Sequence, residues 1–137
     1  MDEIIYAYTR RQAIADGVQI DITEEARKAG FNVALYMTAG AFAATVEAGG
    51  EWKPSQTGGE ILELPAGQDT AGRLWDVFQL LRNAITQHGS KSLVCFGVLV
   101  DEHGNGKRRY VELHASIGPK DIDDPAPAIT IMLPGED

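Results

Sequence analysis

The chain has 137 residues, and a chain of that length buries roughly two thirds of its unfolded surface without help from disulfides or metals. Lysine and arginine total 12 against 20 aspartates and glutamates, so the net charge of −8 disfavours adsorption to phosphate backbones or anionic bilayers. With 44% hydrophobic and 23% charged residues, the composition excludes a disordered or collagen-like chain and points to one globular domain over 1–137.

Threonine and glycine punctuate the first half. Thr9, Thr23 and Thr38 each precede a helix-compatible stretch that closes at Gly17, Gly30 and Gly49. A threonine hydroxyl accepts from the free amides of a first helical turn, and glycine takes the left-handed conformation that ends a helix. Three short helices are therefore expected. Thr9 with Gln12 has capping-box spacing, and Asp21 with Glu24 offers a competing box beside Thr23. Ile4 to Tyr8, Val18 to Ile22 and Val33 to Met37 fit short strands or extended connectors. The alanines from Ala39 to Ala44 make the third helix narrow enough to lie in the interior. Residues 50–69 hold Gly50, Pro54, Gly58, Gly59 and Pro65 and read as a long surface loop that carries Trp52, a candidate partner anchor.

A strong helical period runs from Asp69 or Thr70 to His88, with Leu74, Val77, Phe78, Leu81, Ile85 and His88 on one stripe. Arg73, Asp76, Asn83 and Gln87 fill the remainder, and Gly89 ends the helix. The period then changes to 2. Leu93 to Val100, a turn over Asp101 to Gly106, and Tyr110 to Ile117 read as a β-hairpin, with Ile129 to Leu133 a further strand. The result is an α+β domain: a helical half over 1–89 and a mainly antiparallel sheet of three to five strands whose hairpin and final strand lie within 92–133.

Facing in the hairpin follows from parity. A two-residue turn at Asn105-Gly106 pairs Val100 with Val111, and a loop over His103 to Gly106 pairs it with Arg109. Both put Val94, Phe96, Val98 and Val100 on one face with Val111, Leu113, Ala115 and Ile117, which is the core face. The second face carries Leu93, Cys95, Gly97 and Leu99 with Arg108, Tyr110, Glu112, His114 and Ser116.

That second face holds most of the candidate chemistry. Glu112, His114 and Ser116 suggest an acid/base/nucleophile row, but alternate strand residues rise about 6.6–6.8 Å, too far for direct relay. A binding surface built from Arg108, Tyr110, Glu112 and His114, with Trp52 elsewhere, fits better, since Arg, Tyr and Trp are favoured contact residues. Cys95, the only cysteine, lies in an apolar run and reads as a buried thiol; no disulfide can form within the chain. Asp101, Asn105, Gly106 and Glu112 have calcium-loop spacing, yet His103 and the run Lys107 to Arg109 oppose a cation there. The three histidines are scattered, and the glycine-rich turns lack a phosphate-loop lysine. No catalytic residue, metal ligand or cofactor is assigned. Lys107, Arg108 and Arg109 read first as a solubilising hairpin end, with nucleic-acid contact as the sharper alternative. No segment reaches the ~20 apolar residues of a membrane span, and the acidic opening Met1-Asp2-Glu3 is unlike a targeting sequence, so cytoplasmic residence is expected.

The blocks Tyr6-Ala7-Tyr8-Thr9-Arg10, Gln12 to Val18, Ala29-Gly30-Phe31, Gly72 to Val77 and Ile129 to Pro134 resemble a family of small uncharacterised bacterial proteins associated with plasmids, integrative elements and prophages. The resemblance spans nearly the whole chain and implies an accessory gene on mobile DNA, with no catalytic residues to carry over. The leading expectation is a non-enzymatic protein that binds a protein partner, its acidity suited to a basic site on a nucleic-acid-handling protein. The competing reading is a small enzyme with a pocket between the N-terminal segment and the sheet, using Tyr8, Arg10, Asp21 or His114. Self-association through an uncovered sheet edge or through the second sheet face stays open. The acid excess is uneven, with 11 acids against 5 bases up to residue 69 and 9 against 7 after it.

Overall fold

The computed structural model describes residues 8–88 and 91–136. The expected segment from Ile4, except for Tyr8, lies outside the described residues, as does the terminating glycine Gly89. A five-stranded sheet carries the fold, in the spatial order β1 (Gln19–Asp21), β2 (Ala34–Thr38), β7 (Asp124–Met132), β6 (Arg109–Asp121), β5 (Leu93–Val100). All neighbours are antiparallel except β2 and β7, which run parallel. The helices are α1 (Arg10–Ala15), α2 (Thr23–Lys28), α3 (Ala39–Thr45) and α4 (Thr70–His88). The fold is α+β.

The helix ends show how local chemistry places these elements. Thr9 closes a full capping box with Gln12, and Thr38 accepts from the Ala41 amide. Thr23 does not cap. It is the first residue of α2, and its hydroxyl instead bridges the backbone N–H and C=O of Leu35 on β2, while Asp21 accepts from the Thr23 amide. The strand takes up the hydroxyl at position 23, and the same Leu35 carbonyl also accepts from the Ile22 amide. Helix α3 is only half interior, with Ala41 buried and Ala43 exposed.

Val100 pairs with Arg109, the longer-loop register, and the two faces of the hairpin divide as parity requires. Ile129 and Ile131 continue the core face on β7, and Leu35 and Met37 continue it on β2. Helix α4 covers this face with Leu74, Val77, Phe78 and Leu81, and α2 and α3 add Ala26 and Ala41. Phe31 packs on Phe78 with ring centroids 5.9 Å apart.

Three segments depart from expectation. The 50–69 segment contains a second hairpin, β3 (Glu51–Pro54) with β4 (Glu60–Glu63), followed by a 3-10 turn over Pro65–Gly67. Its Gly58-Gly59 turn holds both residues at positive φ, so its glycines build a turn where they suggested a loop. The last strand starts at Asp124, because Asp121-Ile122-Asp123-Asp124 is a hairpin turn to a lengthened β6. Arg73, which lies outside the apolar stripe of α4, is buried.

Helix α1 lies on the second face, tied down by Arg10 and Asp121. The Asp121 carboxylate accepts from the amides of Arg10 and Arg11 at 3.1 and 3.2 Å and from Ile122 at 2.8 Å. The Ile122 amide, then those of Arg10 and Arg11, hold this carboxyl below the usual aspartate value. A depressed folded-state pKa stabilises above the unfolded value and loses that contribution as pH falls through the folded one. Arg10 and Arg11 amide resonances are therefore expected to move as the pH drops below about 4, and Asp121→Asn should abolish that movement in an NMR titration.

Candidate functional site

The second face of the sheet divides into a roofed part and an open part. Over β1, β2 and β7, the Arg10 guanidinium lies 4.1 Å from the Tyr36 ring centroid and donates to Gln19 Oε1 and Thr130 Oγ1, both at 2.9 Å, and to the Lys120 carbonyl. Tyr36 and Thr130 are buried beneath it. Burial lowers the Arg10 pKa from its ordinary value and raises that of Tyr36. Arg10 lies where a pocket between the N-terminal segment and the sheet was expected, and lines two cavities there, one of about 180 Å³ with Tyr36 and Asp121 and one of about 270 Å³ with Tyr8 and Gln19. Tyr8 donates to Asp16 at 2.7 Å and Asp21 accepts from Thr23, so these members of the enzyme reading serve local structure.

Over β5 and β6 the face is open. Leu93, Leu99 and Tyr110 are 40%, 53% and 63% exposed. Leu99 and Tyr110 are cross-strand partners, and the Tyr110 ring folds over Gly97, where a Cβ would sit 2.2 Å from it. A glycine beneath an aromatic ring is a recurrent way to fill a strand gap. The thiol of Cys95 is exposed rather than buried, because an apolar run on an edge strand buries only the residues that face the helices.

His114 Nε2 lies 3.0 Å from Glu112 Oε2, so the two side chains lean together across a spacing that the rise alone places out of reach. The rise separates the Cα atoms; glutamate and histidine are long enough to close the difference. Cys95 is the cross-strand partner of His114. The cluster thus holds an acid, an imidazole and a thiol, the residue types of a nucleophilic site. Among the described residues no hydrogen bond joins thiol to imidazole, and Ser116 does not extend the row.

The remaining candidates are spread out. Trp52, 52% exposed, lies on β3 with its indole N–H on Glu47 Oε2 at 2.9 Å, apart from Tyr110 and His114. In the basic run Lys107 to Arg109, Arg109 is committed to structure: it donates to the Ala44 carbonyl and lies 3.6 Å from Glu102. Arg108 lines a groove of about 900 Å³ with Tyr110 and Leu99, whose far wall is Asp76, Gln79 and Leu80 of α4. The Asp101 carboxylate accepts from the amides of Asn105 and Gly106, so its calcium-loop spacing closes a turn. No helix among the described residues is long and apolar enough to cross a membrane.

Parity found the open face, but sequence reasoning missed the groove. Its signal was available: eight residues from Leu93 to Val100 without a charge or proline, next to a helix flank of mixed polarity. No curated protein and no solved structure matches the chain. A family model matches residues 1–137 from end to end, and the chain accordingly belongs to DUF6573, a family of unknown function.

Proposed function

We propose that this protein acts without catalysis, by binding a protein partner through the open β5–β6 face. The observation that carries this reading is the exposure of Leu93, Leu99 and Tyr110 on one face of the β5–β6 hairpin, beside Arg108 and Glu112. Apolar anchors with charged neighbours are the composition of a contact surface. The resemblance to proteins of plasmids, integrative elements and prophages supports a setting in the bacterial cytoplasm, with a host or element protein as the partner.

Tyr110 is the expected anchor. Its replacement by alanine removes an exposed aromatic without touching the core, and anchors of this kind contribute about 2 kcal/mol or more, at least tenfold in affinity. Affinity capture from a bacterial lysate should recover a protein with the wild type that Tyr110→Ala and Arg108→Ala fail to retain. Equal recovery by all three chains, or by none, contradicts the proposal.

A further inference from the structure

β5 is the outer strand of the sheet, with no strand paired to its outer side among the described residues, and its hydrogen-bonding groups can be assigned. The Ile117 amide donates to the Ser92 carbonyl, which makes residues 92 and 117 a hydrogen-bonded pair in the register that continues through Val94 with Ala115 and Val100 with Arg109. Even-numbered residues of β5 therefore direct their amides and carbonyls at β6. Those of Leu93, Cys95, Gly97 and Leu99 point away from β6, and Gly97 and Leu99 line the groove beside α4.

Natural edge strands are usually short, or guarded by lysine, proline or a bulge. The opposite edge, β1, has three residues and follows that rule. β5 has eight residues and none of those guards. Its sequence is also nearly a palindrome about Phe96: Leu93 matches Leu99, Val94 matches Val98, and Cys95 matches Gly97 as small residues.

We infer that the β5 edge pairs antiparallel with β5 of a second copy, with Phe96 on the two-fold axis. This register matches outward-directed residue with outward-directed residue, Leu93 with Leu99 and Cys95 with Gly97 of the other copy. A shift by one residue would oppose odd to even positions and break both the ladder and the facing. The Phe96 rings meet as a non-hydrogen-bonded cross-strand pair, where side chains lie closest. On the second face Tyr110, Leu99 and Leu93 of the other copy form one apolar row, so the two open faces become continuous.

Charge permits the same arrangement. No residue from Leu93 to Val100 is charged, and on the flank of α4 that lines the groove Asp76 is the one charged residue. The acid-rich residues Asp21, Glu24 and Glu25 are at the far β1 side of the sheet. Residues 93–99 make a seam about 24 Å long at ~3.4 Å per residue, and with the helix flank about 10 Å away it buries on the order of 500 Å² per protomer. That is the low end for a specific interface, so dissociation in the micromolar range is expected.

The seam shares Leu93 and Leu99 with the partner-binding face, but Tyr110→Ala removes the partner anchor and leaves the edge ladder intact, so the two readings fail separately. Sedimentation velocity from low micromolar to several hundred micromolar should show the mass rising from 14.8 kDa toward twice that value. Leu93→Lys with Leu99→Lys should hold the chain monomeric with unchanged circular dichroism. In a Cys95→Ser background, Leu93→Cys and Leu99→Cys chains mixed under mild oxidant should form a crossed disulfide that neither forms alone, because hydrogen-bonded antiparallel partners lie about 5.5 Å apart at Cα. A monomer at every concentration overturns the proposal. Ready disulfide formation by wild-type Cys95 overturns the Phe96-centred register, because it requires Cys95 to oppose itself.

Discussion

Replacing Arg73 with methionine is expected to cost about 3–4 kcal/mol, near 10 °C in melting temperature for a chain of this size. Arg73 is 7% exposed and spends its guanidinium on backbone carbonyls: Ala48 at 2.6 Å, Thr45 and Val46 at 3.2 Å, and Asp101 at 3.1 Å, with Nε on Gln68 Oε1. The first three belong to the C-terminal end of α3, where carbonyls lack helical partners and favour a cation. Burial lowers the pKa of Arg73, with Asp101 and Glu102 opposing that shift. Methionine fills the volume but leaves those carbonyls without donors. Lysine restores the charge without the planar fork, so Arg73→Lys should recover part of the loss. Asn83→Ala, exposed on the same helix, should stay within about 0.5 kcal/mol. Urea unfolding of the three variants measures this, and a loss below about 1 kcal/mol for Arg73→Met would show that water replaces the guanidinium.

How far the sequence reached depends on which interaction decided each element. Patterns of period 2 and 3.6 report burial directly, so the α4 stripe and the two faces of the β5–β6 hairpin could be read before the structure. Capping could be read only where no other amide claimed the threonine oxygen, as at Thr9 and at Thr38, which accepts from Ala41 while it donates to Glu136. The Leu35 amide claimed that of Thr23, and its cap was lost. Arg73 defeated the pattern because a long cation can be buried when converging carbonyls satisfy it, and those carbonyls lie 25 or more residues away in the chain. The parallel pairing of β2 with β7 is likewise invisible locally, since its register depends on everything between residues 38 and 124. At the candidate site, parity placed Leu93, Leu99 and Tyr110 together. It could not show that Arg10 roofs one part of the same face and leaves the other open, because that asymmetry follows from where α1 docks.

Gly49→Ala tests the junction that Arg73 holds from the other side. Gly49 has φ +75°, and a Cβ there would lie 1.7 Å from the Glu102 carbonyl oxygen, a backbone atom that no rotamer change can move. Gly17 provides the comparison, with φ +76° and nothing within 4 Å of its Cβ position. Alanine at 17 should therefore cost about 1 kcal/mol, the left-handed strain alone. Alanine at 49 should cost about 3 kcal/mol, since α3 and the β5–β6 turn must also separate. Hydrogen exchange should quicken at the Asn105 and Gly106 amides, which the Asp101 carboxylate holds, and stay unchanged in Gly17→Ala. Arg73 bridges the same two segments through Ala48 and Asp101, so Gly49→Ala combined with Arg73→Met should cost less than the sum of the two. Strict additivity would mean that the two contacts hold independent parts of the structure.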